Sequence, residues 1–481
     1  MTQSVARAVR PAPDRDCAWV PIRGSSETGI DYERTALLVL AVGRPRGVAR
    51  VIAGRPPLSA AGRALRHRNF RLFFGGELVS ITGSWIQYTA QAWLVVTLVG
   101  NASAAFYLGL LGAVQVLPVL VLGLFGGIVA DVLPKRRTVI ATQTIAGLLA
   151  LAMGLLVYLG VAQVWHVFVV GFGLGLVNAV DIPTRQAFVV DMVGPEDVGN
   201  AITLNSAAFN VARIVGPSVG GLLIAAVGMS LCFLLNALSF AAVVVSLLAM
   251  RDSELLAGDR LPMPKSVREV RAHLAEGLSY VRRTPVVLLA IGAGGLAATF
   301  GMNFAVVVPA MAAGVLNVGP TGFGFLNAAI GVGAVLVAFP VAAIGRPAPR
   351  LLIGGIIVLG VSLAGFAIST SFPMAMATIS IAGAAGLVLA VTANSLVQMA
   401  PPAPLRGRVM SVFTTAFIGS TPVGNMLIGV AAELSGTRVA VLLAGSMTLL
   451  IGLIAAGVVL AGRVPDVGND ASTAALVDPG A

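Results

Sequence analysis

The chain has 481 residues, of which 57% are hydrophobic and 11% charged, against roughly 25% charged in an ordinary soluble domain. With a mean hydropathy of +0.94 it carries too little polar surface to cover a soluble fold. The net charge of +11 would suggest nucleic acid in a soluble protein. Here, however, 13 of the 31 basic residues precede Leu72 and most others flank apolar runs, which is the distribution of a membrane topology.

Residues 1–68 are Arg-rich, and their one apolar run, 35–43, is too short to span and has no small-residue cleavage site after it. They read as a basic, disordered cytoplasmic leader: either a segment attracted to anionic lipid or an extension from an upstream start codon. Apolar runs of bilayer length then follow near 72–99, 104–130, 138–160, 166–190, 200–227 and 230–250. Six more lie near 285–314, 321–344, 351–370, 373–399, 406–432 and 437–462. The expected fold is an all-α membrane protein of twelve transmembrane helices. It divides into an N-terminal bundle (69–250), a linker (251–284), a C-terminal bundle (285–462) and a tail (463–481).

Even-numbered turns hold Lys135, Arg136, Arg137, Arg251, Arg282, Arg283, Arg346, Arg350, Arg406 and Arg408 among others, while odd-numbered turns hold only Arg438. Positive-inside orientation places the even turns and both termini in the cytoplasm, as for an inner-membrane protein. In the long central turn, Val267, Val270, Leu274, Leu278 and Val281 recur at helical spacing between charges, predicting an interfacial amphipathic helix over 266–281.

The two halves look duplicated. Arg71 matches Arg283 and Arg137 matches Arg350 at offsets of 212 and 213, and Gly216-Pro217 aligns with Thr421-Pro422 at 205. Parallel repeats of this kind put a substrate site near the midplane between pseudo-symmetric halves.

Between the second and third spans the chain reads GGIVADVLPKRR, with Gly127, Asp131, Lys135, Arg136 and Arg137. Gly127 permits close helix approach, and Asp131 can pair with Lys135 and with Arg185 of the fourth span. The alternative is a solvated turn that only sets orientation. The pattern resembles the signature loop of the major facilitator superfamily, although Val132 stands where an arginine is usual and Pro134 where a glycine is usual. The resemblance implies a latch on the outward-open state, with the aspartate also facing the start of the eleventh span near Arg406. Gly216, Pro217, Gly220 and Gly221 of the fifth span resemble the superfamily's antiporter signature, with Ala212 replacing its usual glycine. Ordinary tight packing explains them equally well. NFRLFFGGELVSITGSWIQ, DIPTRQAFVVDMV, NAITLNSAAFNVARIVGP and LRGRVMS resemble most closely the superfamily's drug and siderophore exporters of the enterobactin-exporter type, over residues 69 to about 460.

Setting aside Asp181 and Arg185 toward one end of the fourth span, Glu77 and Arg213 are the charges well inside spans, and such groups are functional candidates by default. They read as coupling residues, with Glu77 as proton carrier; a static Glu77–Arg213 pair or a hydrated Glu77 is the alternative. Cavity-lining spans in the resembled fold are the first, fourth, seventh and tenth. They make Trp85, Gln87, Gln91, Asn178, Asn303 and Asn394 candidate substrate contacts, or else interhelical hydrogen bonds and anchors. Isolated histidines and the lack of spaced ligands leave no metal or cofactor motif, and the proton gradient is the expected energy source. The expected function is export of small amphiphilic molecules (drug, antibiotic or siderophore) by alternating access in exchange for protons, as a monomer, with no nucleic acid and no enzymatic step. Gradient-independent flipping of a lipid-like solute and a non-transporting scaffold are the rivals.

Overall fold

A computed structural model of the chain describes residues 62–256, 267–344 and 348–463. Among the described residues the protein is helical, and ten helices are long and apolar enough to cross a membrane. We label the helices α1 (Arg68–Val132), α2 (Lys135–Tyr158), α3 (Val164–Val227), α4 (Met229–Leu248), α5 (Val267–Arg283), α6 (Pro285–Gly301) and α7 (Phe304–Gly314). They continue as α8 (Gly319–Ile344), α9 (Pro349–Ala367), α10 (Phe372–Met399), α11 (Ala403–Ser435) and α12 (Thr437–Leu460). Their outward faces are apolar, with Leu336 70% exposed, as lipid contact requires.

α1 and α3, at 65 and 64 residues, are twice the length of a span. Each turns back at one glycine, Gly100 (φ 79) or Gly194 (φ 74), a left-handed backbone that a side chain would strain. Divided there, into 68–99 and 101–132, and 164–193 and 195–227, they supply four of the expected spans. The polar stretch 191–199, expected as a loop, is helix on both sides of Gly194. Pro195 starts the second limb, where its missing N–H costs nothing.

The seventh span, expected as one helix, is broken between α6 and α7. The Asn303 side chain donates from Nδ2 to Thr299 O at 2.6 Å, the carbonyl its own N–H would meet in a continuous helix. Asn303 then caps α7, its carbonyl accepting from Val306 and Val307. The linker helix α5 spans two residues beyond the expected end at 281 and packs on the start of α11 and the end of α10: Glu276 pairs with Arg408, and Tyr280 Oη donates to Ala400 O at 3.0 Å.

The leader reading does not hold for its last residues. Arg63–Arg66 form a 3-10 turn, Ala64 N–H donates to Asn200 Oδ1 at 3.0 Å, and His67 contacts Asp197 at 3.0 Å. Residues 1–61 lie outside the described residues.

The two halves meet through paired small residues. A Cβ on Gly221 of α3 would lie 2.6 Å from Pro320 O and 3.0 Å from Gly324 Cα of α8. Gly109 and Gly112 of α1 pack on Asn425 and Gly429 of α11. These pairings join spans five to eight and two to eleven, and each becomes the other when the halves are exchanged. Asn101 Nδ2 donates to Ala313 O at 3.2 Å, Ser103 Oγ to Glu433 Oε1 at 3.1 Å, and the Trp93 and Phe323 rings stack at 5.8 Å. These contacts are concentrated at the end of the bundle that bears the short turns, opposite the basic turns.

Candidate ion cluster and helix interfaces

Three helices of the first half converge on one buried ion cluster. Glu77 lies nine residues into α1, and Arg185 lies eight residues before the end of the first limb of α3. At 1.5 Å per residue these positions are about 13 Å and about 12 Å from the ends that bear the basic turns, so they share a depth. Asp181 precedes Arg185 by one helical turn, on the same face. The Arg185 guanidinium bonds to Glu77 through Nη1 and to Asp181 through Nη2. Asp181 Oδ1 also accepts from Thr142 Oγ1 at 2.5 Å and Gln143 Nε2 at 3.1 Å, both from α2. Glu77 is 6% exposed and Asp181 2%, while Glu77 Oε2 has no hydrogen-bond partner among the described residues. Two carboxylates on one guanidinium leave one formal negative charge uncompensated, which is costly in a low-dielectric site. One proton would neutralise the cluster.

This differs from the pairing considered in the sequence. Arg213 sits on the second limb of α3, its Nε buried without a hydrogen bond among the described residues, and the partner of Glu77 is Arg185. Asp181, Thr142 and Gln143 were not among the sequence candidates. The Asp181–Arg185 spacing of four within an apolar span was the signal available for the first of them.

Two acids outside the loop hold the basic turn. Lys135 Nζ reaches both oxygens of Asp191 at 2.8 Å. Arg136 pairs with Asp252 and donates to Leu247 O at 2.9 Å and Leu248 O at 3.1 Å. Arg137 is exposed. The expected partnerships of Asp131, and the packing at Gly127, fall on side chains outside the described residues.

The glycine-proline motif of the fifth span forms helix contacts. Gly216 lies against Trp85 and Thr82, and Gly220 against Ile86 and Thr89, so α1 seats directly on α3. In the second half Gly424 of α11 lies against Thr299 and Asn303 of the seventh span, the equivalent pair. Gly221 and Pro217 instead face α8 across the halves.

Of the expected cavity residues, Gln87 accepts from Asn236 Nδ2 of α4 at 2.7 Å, and Gln91 Nε2 donates to Val167 O at 3.5 Å. Both are 3% exposed and engaged within the first half. Trp85 packs edge-on against Tyr88 at 5.6 Å and Phe209 at 5.8 Å. Asn303 occupies the break in the seventh span, its Oδ1 buried and without a hydrogen bond among the described residues. Asn394 bonds to Gln398 at 3.0 Å, and Asn178 is exposed.

The pattern of the transmembrane secretion effector family matches residues 59–478. The multidrug efflux pump Tap of Mycolicibacterium fortuitum is 27% identical over 394 residues, covering 80% of this chain and 94% of Tap. The enterobactin exporter EntS of Shigella boydii is 22% identical over 381 residues, covering 76% of this chain and 85% of the exporter. Among solved structures, a POT family transporter in complex with a thioalcohol-conjugated peptide superposes with a TM-score of 0.65 at 14% identity, covering 82% and 96% of the two chains.

Proposed function

Since this chain belongs to the transmembrane secretion effector family of major facilitator transporters, we propose that it exports small amphiphilic molecules across the cytoplasmic membrane in exchange for protons. It does so as a monomer, by alternating access, with both termini in the cytoplasm. The observation that carries the coupling is the ion cluster. Arg185 is shared by Glu77 and Asp181 from two spans, and Glu77 keeps one oxygen unpartnered among the described residues. One proton on the pair offsets the uncompensated charge, and its release frees a carboxylate to take the next. Efflux by Tap and EntS, as their names state, supports the outward direction of transport.

The contact pattern supports the cycle. The halves are joined at the short-turn end through Gly221–Gly324 and Gly109–Asn425. Under positive-inside orientation that end faces outward, and a state joined there would admit solute from the cytoplasmic side. Rocking about these small-residue contacts would reverse the access.

Energised inverted vesicles carrying the full chain test the reading with a fluorescent cationic dye as probe. Uptake should exceed that of vesicles without the protein, vanish with a protonophore, and be lost in Glu77→Gln. Uptake that persists without a proton gradient and survives Glu77→Gln would instead establish gradient-independent flipping.

A further inference from the structure

The three basic residues around the start of α2 differ in what they hold. Lys135 grips Asp191, and Arg136 grips Asp252 with two main-chain carbonyls. Arg137 is exposed and makes no ion pair or side-chain hydrogen bond among the described residues. It lines one end of a groove of about 660 Å³ between α2 and the first limb of α3. The groove walls are apolar, formed by residues such as Ile145, Leu149, Leu176 and Val177. Two small residues, Ala141 and Gly173, help to leave it open.

Its dimensions and position limit what can fill it. From Arg137 to Leu149 is twelve residues, about 18 Å at 1.5 Å per residue, slightly more than half of a bilayer core of about 30 Å. The slot is therefore about one leaflet deep. It opens sideways, with Ile145 49% and Leu176 38% exposed, rather than toward the interface between the halves. A single guanidinium stands at its interfacial end, where anionic headgroups lie.

We propose that this groove binds one anionic phospholipid from the leaflet facing the basic turns, with the phosphate on Arg137 and an acyl chain between α2 and α3. Charge complementarity at one end and an apolar slot one leaflet deep are the two halves of the recognition. The groove also contains Thr142, whose hydroxyl donates to Asp181 Oδ1 at 2.5 Å. A seated acyl chain therefore keeps water from the α2 side of the ion cluster.

Native mass spectrometry of the full chain, incubated in detergent with equal amounts of phosphatidylglycerol and phosphatidylcholine, tests this. The wild type should retain phosphatidylglycerol preferentially. Arg137→Gln should lower that retention about fivefold, the factor for one basic residue at an anionic surface, and Arg137→Lys should keep most of it. Ala141→Phe, which fills the groove from an exposed position, should lower retention of both lipids. Arg283→Gln removes a comparable exposed charge elsewhere and should leave retention unchanged. Equal phosphatidylglycerol retention by wild type and Arg137→Gln overturns the proposal. So does a matching loss in Arg283→Gln, which would indicate diffuse surface charge, or full retention in Ala141→Phe.

Discussion

Replacing Gly324 by valine should push the two halves apart at the end where they now meet. A single Cβ at Gly324 would lie 2.6 Å from Pro217 O and 3.0 Å from Gly221 Cα. Both are backbone atoms of α3, so no rotamer change relieves the contact and the helices must separate. Overpacking of this kind costs about 1–3 kcal/mol. The cost falls on the arrangement joined at the short turns and is absent from one in which they are apart. The ratio of the two populations should therefore shift by roughly 5- to 150-fold. Spin labels at Ser103 and Glu433, whose side chains now bond across the halves at 3.1 Å, would report the short-distance population in a background with Cys17 and Cys232 replaced by serine. Gly354→Val on α9, where a Cβ meets nothing within 4 Å, controls for the effect of valine on a helix. An unchanged short-distance population in Gly324→Val, or an equal loss in Gly354→Val, would refute the reasoning.

Asn236→Leu removes the 2.7 Å bond to Gln87 and should destabilise the protein by about 0.6 kcal/mol and at most about 1.7, read as a lowered unfolding midpoint; a stabilised protein would contradict it. A double-mutant cycle on Lys135 and Asp191, paired at 2.8 Å with side chains 22% and 14% exposed, should give a coupling of about 1 kcal/mol that shrinks as salt is raised. No coupling, or no salt dependence, would count against that pair. Asn303→Ala removes the side chain that occupies the Thr299 carbonyl and should let the helix run on from α6 into α7. Slower hydrogen exchange at the residue 303 amide measures this, and unchanged exchange would place the cause of the break elsewhere.

Glu77 shows how far the ion cluster was legible. That it is a functional candidate followed from one rule, since a charge inside an apolar run needs a reason. Its partner did not follow, because Arg185 and Arg213 are both arginines at membrane depth and only the neighbour relations of α1 and α3 choose between them. The amides at Gln87 and Gln91 went the same way. Their chemistry permits a cavity contact or an interhelical bond, and the position of Asn236 and of the Val167 carbonyl decides for the latter.

What the amino-acid order determined by itself is local in cause: membrane-length apolar runs, the side on which basic turns collect, and the amphipathic linker helix. Bilayer thickness and backbone sterics act on a run of residues wherever the rest of the chain lies. Only the tertiary structure decided which acid each of Lys135, Arg136 and Arg185 holds and why Gly221 must lack a side chain. Those outcomes depend on groups far away in sequence being a few ångströms away in space, and one face of an apolar helix does not name the helix that will cover it.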